Sequence, residues 1–399
     1  MTDALEFYRS PGKYLTLRGA AAGGLGSRFA GLLAGTVAPL RPVTRPRRRR
    51  PDSGWIRLRP LLSGICGSDL GLLTGRSSAY LSPVVSLPFV PGHEIVAETL
   101  DECPGLPAGS RVVVDPVLPC STRGVPACAS CASGTPNRCD HITAGSVAVG
   151  LQTGFCSDTG GGWSRTLIAH PCQLHPVPGT MDDRVAVLVE PLACAVHSVR
   201  GAAVTDGASV LVVGAGTVGL LVLLALREFT GAGPVHVLAK HPHQRERATA
   251  LGATELVPVR RPIRSLRSAT GGFLLRPDFG AEYLLGGVDV AFECSGTAAG
   301  LDLALRSVRA GGTVVLSGMP ARSVDLTPVW FRELRLIGTY ASDGRGSDFA
   351  DAVALAARAP LTGYVDAVYP LSRWQDALGH ALAAGRLGTV KVAFDPTRE

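Results

Sequence analysis

The stretch that most limits what this chain can become is Val210-Leu211-Val212-Val213-Gly214-Ala215-Gly216-Thr217-Val218-Gly219. Four consecutive apolar residues suit a strand buried on both faces, as in a parallel sheet covered by helices. The glycines that follow permit a tight turn, a close approach of backbone N–H groups to an anion, and near packing of the next helix. A lone Gly-x-Gly-x-x-Gly carries little weight, but here an apolar strand precedes it and a helical stretch, Leu220 to Phe229, follows. Further apolar runs alternate with helical text: Val235-His236-Val237-Leu238, Val288 to Phe292, Thr313 to Leu316 and Leu336-Ile337-Gly338. This rhythm predicts a doubly wound α/β parallel sheet over 192–339, a Rossmann domain holding a dinucleotide. Gly214, Gly216, Thr217, Val218 and Gly219 are its candidate contacts to the pyrophosphate.

The end of the second strand bears on the choice of dinucleotide. An NAD-binding unit places Asp or Glu about 20 residues past the glycines, where the carboxylate accepts from the ribose 2′-OH. Here that position is Ala239, followed by Lys240 and His241, and no carboxylate occurs before Glu246. A missing carboxylate and a cation in its place favour the 2′-phosphate of NADP over NAD.

Outside this region the text is different. At 399 residues, two domains are expected. Short strands broken by Gly and Pro, such as Trp55 to Leu58 and Arg111 to Val114, predict a mostly-β domain over 1–191. The segment 340–399, with a helix over Trp374 to Gly385 and a strand over Thr389 to Phe394, is expected to complete it. Arg18 to Leu40 reads as a loop or short helix, and Arg260 to Arg276 as a loop insertion.

The net charge of +7 invites an acidic partner, yet only Lys13, Lys240 and Lys391 are lysines, and the excess is spread as arginine. The single dense run, Arg45 to Arg50, lacks interleaved aromatics and reads as a solvated loop, so no nucleic acid is expected. No apolar run approaches the ~18 residues of a membrane span, and Met1 to Glu6 resembles no secretory signal. A cytoplasmic protein without a membrane partner is expected.

Five of the ten cysteines fall into two patterns, and the rest are scattered. Cys128-x2-Cys131-x7-Cys139, with Cys120 upstream, offers four thiolates, the closed set of a structural Zn²⁺. A dispersed set, Cys66, His93 and Glu190, supplies a thiolate, an imidazole and a carboxylate. Three ligands leave a fourth position open for substrate, as catalytic zinc requires. Two Zn²⁺ per chain are therefore expected.

Five separated motifs, Cys66-Gly67-Ser68-Asp69, Gly92-His93-Glu94, the cysteine cluster, Glu190-Pro191-Leu192 and Gly214 to Gly219, stand in the order found in zinc-containing medium-chain alcohol dehydrogenases. The chain resembles that family over about residues 50 to 399, and within it the sorbitol, threonine and glucose dehydrogenase branch. The resemblance implies a GroES-like catalytic domain beside the Rossmann domain. Its activity would be reversible hydride transfer between a secondary alcohol of a polyol, sugar or cyclitol and NAD(P). Glu190 would replace the second cysteine of the Cys₂His set. Glu94 would be a carboxylate able to exchange onto the metal, Ser68 a relay for the alcohol proton, and Asp69 an orienting partner of His93. A homodimer or homotetramer is implied as well. Two departures stand out: Gly71 occupies the place where many relatives carry a relay histidine, and Cys120 lies farther upstream than usual. Two rival readings are a zinc-independent enoyl or quinone reductase, which would lack Cys66 and His93, and a non-catalytic anion-binding protein built on the arginine run.

Overall fold

The computed structural model describes residues 3–22, 31, 33–44, 51, 54–319 and 324–399. The chain divides into two compact units, Met1–Glu190 with Ala341–Glu399, and Pro191–Tyr340.

The second unit is built on six parallel strands in the spatial order Glu255–Val257, Val235–Leu238, Val210–Val213, Val288–Glu293, Val308–Leu316 and Arg335–Gly338. Counted along the chain, this is the 3-2-1-4-5-6 order of a dinucleotide-binding sheet. Its direction of winding reverses between Val210–Val213 and Val288–Glu293. All four residues of Val210–Val213 are buried, which is why the strand tolerates no polar alternation. Helix Thr217–Phe229 follows directly, its residues from Gly219 to Leu226 all buried. The segment expected as a loop insertion instead forms helix Pro262–Thr270 and a hairpin of Phe273–Leu275 with Tyr283–Leu285. Ile263 and Leu266 explain the helix: three residues apart, they lie on one face and enter the core, although arginines surround them in sequence.

The first unit carries a seven-stranded sheet. Val365–Pro370 pairs in parallel with Lys391–Asp395, and the path continues antiparallel through Ile56–Gly64, Ile95–Thr99, Arg111–Val114 and Leu174–Pro176. Leu167–Ala169 pairs with Ile56–Gly64 off this path. The C-terminal strand thus joins the sheet beside a strand from the start of the domain, with Phe394 opposite Ser63.

Ahead of this sheet, Ala4–Phe7 pairs antiparallel with Leu40–Val43. Between them run helix Pro11–Ala22 and a π-helical turn, Leu33–Val37. The expectation of a loop or short helix from Arg18 is corrected accordingly: the helix begins at Pro11, and Leu17 anchors it in the core beside Leu73 and Leu378. The Arg45 to Arg50 run lies outside the described residues. One helical stretch, Asp183–Ala202, is long and apolar enough by composition to cross a membrane, contrary to the sequence reading. Its apolar window is 72% buried inside the protein, so packing accounts for its composition.

Candidate active site and metal clusters

Cys66 sits at the junction between strand Ile56–Gly64 and helix Gly67–Leu73, where it is the N-cap. Asp69 stands three residues into that helix and closes a capping box: its Oδ2 accepts from the Cys66 backbone N–H at 2.9 Å. Its other oxygen, Oδ1, lies 3.8 Å from His93 Nδ1. One fully buried carboxylate therefore fixes the backbone at Cys66 and faces the imidazole of His93. Ser68, on the first turn of the same helix, has a buried hydroxyl with no partner among the described residues. Gly71, which lacks the relay histidine, is backed by Ser77: a β-carbon there would meet Ser77 Oγ at 3.3 Å.

His93 and Glu94 follow Gly92, whose φ of +94° puts it in the left-handed region. A side chain at Gly92 would also run into Trp163, 2.4 Å from where its β-carbon would stand. Trp163 is a core residue. It is fully buried, meets Phe394 edge-on, and donates Nε1–H to the Gly64 carbonyl at 3.4 Å.

The ligand atoms of Cys66, His93 and Glu94 lie within 4.8 Å of one another. Glu190, in the first turn of helix Val189–Ala202, stands outside this compact trio. It is buried and acts electrostatically on His93. The structure thus draws together Cys66, His93 and the carboxylate expected only as an exchanging ligand, with Glu190 as a neighbour. A further participant comes from the far end of the chain. Lys391, on the C-terminal strand, is buried, and its ammonium contacts both carboxylate oxygens of Glu94. Only its rarity as one of three lysines sets it apart in the sequence.

This pocket is suited to a divalent cation. Burial alone lowers the His93 pKa, but the charges of Asp69, Cys66 and Glu190 outweigh it and push the imidazole well up. Lys391 behaves likewise: burial opposes its charge, while Glu94, Cys66 and Glu190 raise its pKa. Burial raises the Asp69 carboxyl, against the pull of His93 and the bond from Cys66. Buried His93 Nδ1 and Asp69 Oδ1 lack hydrogen-bond partners among the described residues. A site so rich in anions, with thiol, imidazole and carboxylate donors converging, fits zinc.

The second cluster is denser. The sulfurs of Cys120, Cys128, Cys131 and Cys139 all lie within 4.8 Å of one another, so the long spacing after Cys120 does not keep it out. The extra residues form a helical turn, Cys120–Arg123, closed by Gly124, that folds Cys120 back. Backbone N–H groups point at the sulfurs: Cys128 N at Cys120 Sγ (3.3 Å), His141 N at Cys139 Sγ (3.4 Å), and Cys131 N and Asp140 N at Cys128 Sγ (3.5 Å each). The last two bonds hold the Cys128 thiol down to about 6, whereas burial pushes Cys131 and Cys139 up. His141 Nδ1, absent from the sequence reading, lies 3.3 Å from Cys120 Sγ. Four sulfurs supplied with N–H donors make a closed thiolate site that zinc fits, with no open position for chemistry.

In the second unit, Gly214 turns the chain at the end of Val210–Val213 with φ +99°. Gly219 packs so closely on it that an added β-carbon would stand 1.8 Å from the Gly214 carbonyl oxygen. Gly216, by contrast, faces open space: nothing lies within 4 Å of where its β-carbon would be. That space, at the N-terminus of helix Thr217–Phe229, is where a pyrophosphate would lie against Thr217 and Val218. Next to it, Ala239 is buried at the end of Val235–Leu238, and Lys240 is exposed. His241 caps the following helix, Pro242–Ala250, and stacks on His243 with ring centroids 5.8 Å apart.

A glycine turn suited to a dinucleotide and an anionic cluster suited to a metal point to a zinc- and nicotinamide-dependent oxidoreductase. Comparison with known proteins makes this more specific. Residues 52–179 match the alcohol dehydrogenase GroES-like domain, and residues 217–358 match the zinc-binding dehydrogenase domain. Sorbitol dehydrogenase of Arabidopsis thaliana is 30% identical over 291 residues, 71% of this chain and 73% of its own. L-idonate 5-dehydrogenase of Vitis vinifera is 29% identical over the same fractions. Among solved structures, a zinc-binding dehydrogenase of Sinorhizobium meliloti 1021 bound to NADP is similar at 26% identity. Its TM-score is 0.70, with 90% of this chain and 95% of that one covered. The chain belongs to the zinc-containing medium-chain alcohol dehydrogenase family, and it is an NAD(P)-dependent enzyme of that type.

Proposed function

We propose that the enzyme interconverts a secondary alcohol of a polyol, sugar or cyclitol and its ketone, with NADP(H) preferred over NAD(H). The observation that carries this reading is the convergence of Cys66, His93 and a carboxylate in one buried cluster, beside the partnerless hydroxyl of Ser68. Relatives named for sorbitol and L-idonate support the substrate class.

Cys66 and His93, with Glu190 or Glu94, would hold the zinc. When bound, that ion supplies Lewis-acid polarisation that makes an alcohol more acidic. Ser68 would accept the alcohol proton while giving its own hydroxyl proton to water, because Gly71 offers no side chain to receive it. Asp69, with Oδ1 3.8 Å from His93 Nδ1, orients the ring. Lys391 pairs with Glu94 in the buried interior. The turn from Gly214 to Gly219 secures the dinucleotide, and Lys240 with His241 meets the 2′-phosphate.

A second copy of the chain is the partner this reading includes. Among the described residues, strand Arg335–Gly338 is an open edge of the six-stranded sheet, and Trp330 and Phe331 beside it are 80% and 62% exposed. An unpaired edge with exposed aromatics supports self-association as a dimer or tetramer. The deciding experiment is a panel of polyols, sugars, cyclitols and simple alcohols with both cofactors, followed by nicotinamide absorbance. Turnover of a polyol-type secondary alcohol is expected; turnover confined to simple primary alcohols would overturn the substrate reading.

A further inference from the structure

Arg123 is a buried cation that none of the chemistry above employs. It lies in the stretch that lengthens the spacing between Cys120 and Cys128, and its side chain is fully buried. Among the described residues no carboxylate pairs with it. Instead its guanidinium donates to five backbone carbonyls: Leu118 (3.1 Å), Ala144 (3.2 Å), Val147 (3.2 Å), Ala148 (3.3 Å) and Gly150 (2.6 Å). The Arg123 carbonyl in turn accepts from Ser146 N at 3.0 Å. The loop 144–150 is therefore wrapped around this one side chain.

Carbonyl oxygens satisfy the guanidinium's hydrogen bonds but bring no net charge, and a buried cation without a counter-ion is costly by several kcal/mol. The anion at hand is the neighbouring cysteine quartet. Four thiolates around a divalent ion keep a net charge of about −2, and the quartet begins three residues before Arg123. Burial pushes the Arg123 pKa down, and the sulfurs of Cys156, Cys139 and Cys120 oppose that fall.

The wrapped loop leads to the active site. Past Gly150 the chain reaches Gly154, where an added β-carbon would stand 2.9 Å from the Gly92 carbonyl oxygen. Phe155 follows, its ring centroid 5.9 Å from that of His93. We propose that Arg123 is a positioning residue that couples zinc binding at the cysteine quartet to the order of the loop 144–155, which backs Gly92 and His93. This rests on the reading of the quartet as a zinc site.

The test uses the zinc-loaded full chain carrying Cys66→Ser, so that the quartet alone holds metal. Release of zinc to a chromogenic chelator should be about tenfold faster or more with Arg123→Met, and intermediate with Arg123→Lys, which keeps the charge but not the five-carbonyl fork. Hydrogen exchange of 144–155 should accelerate in Arg123→Met, yet change little when Arg123→Met is added to Cys131→Ser, where the quartet is already broken. Unchanged zinc release, or equal loss of loop protection in both backgrounds, would make Arg123 a packing residue only and overturn the proposal. If Arg123→Met does not fold, the Lys variant carries the same comparison. Absence of zinc from the quartet of the parent protein would instead defeat the metal reading itself.

Discussion

The Lys391 ammonium and the Glu94 carboxylate form a buried ion pair beside Cys66 and His93, although 297 residues separate them in the chain. Removing one partner leaves the other charged and buried, which typically costs about 3–5 kcal/mol. Lys391→Met should therefore lower Tm markedly. The double variant Lys391→Met/Glu94→Gln, which removes both charges, should lie above Lys391→Met alone. Thermal melts of the two decide the matter. Equal Tm values would mean that the pair is not the source of the loss.

Ser68→Ala should slow alcohol oxidation by roughly 10²-fold or more, within the usual range of general acid–base catalysis. The dinucleotide Kd should scarcely move, because Ser68 is on the catalytic unit and the glycine turn is on the other. Unaltered turnover, with a deuterated alcohol showing that hydride transfer limits the wild-type rate, would remove Ser68 from the proton path.

Lys240→Ala should raise the KM for NADP(H) and leave that for NAD(H) nearly unchanged, since an exposed cation beside the second strand matters only to a 2′-phosphate. Ala239→Asp should shift the preference toward NAD(H) by supplying a partner for the ribose 2′-OH. Steady-state kinetics with both cofactors measure this directly. A wild-type kcat/KM higher with NAD(H) would contradict the reading of this strand end.

Stability should depend on pH through Asp115 and His175, with opposite signs. Burial pushes the Asp115 carboxyl from 3.8 up to about 7, despite bonds from Val117 and Ser342, and Asp343 and Asp348 add to the rise. Between these values the folded protein holds a proton that the unfolded chain has lost, so this contribution declines as pH rises from about 4 to 7. Burial lowers His175, stacked 4.6 Å from Phe349, from 6.5 to about 4. Its contribution is present above 6.5 and lost as pH falls toward 4. Asp115→Asn abolishes the first effect alone. Its Tm should climb between pH 4.5 and 6.5 more steeply than that of the wild type, and parallel profiles would contradict the assignment.

Much of this architecture was legible in the sequence for a physical reason. Strands such as Val210–Val213 are buried on both faces and cannot hide their apolarity, and thiol, imidazole and carboxylate motifs announce ligand chemistry. What escaped notice depends on distant pairing or weak local signal. Strand Glu255–Val257 has three residues, and helix Pro262–Thr270 buries only Ile263 and Leu266 amid arginines. Lys391 reaches Glu94 only because the last strand pairs with Ile56–Gly64, a register that no local pattern encodes. Neither Glu94's place in the compact trio nor His141's approach to Cys120 could be read from spacing.

The most direct test is zinc content per chain, measured together with turnover in the wild type and two variants. The account predicts two zinc ions in the loaded wild type. Cys66→Ser should retain about one zinc, stay folded and lose activity. Cys131→Ser should also lose one zinc but with a lowered Tm, because metal bound by a closed thiolate set contributes to folding. Fewer than two zinc ions in fully loaded wild-type protein, or full turnover in Cys66→Ser, would contradict it.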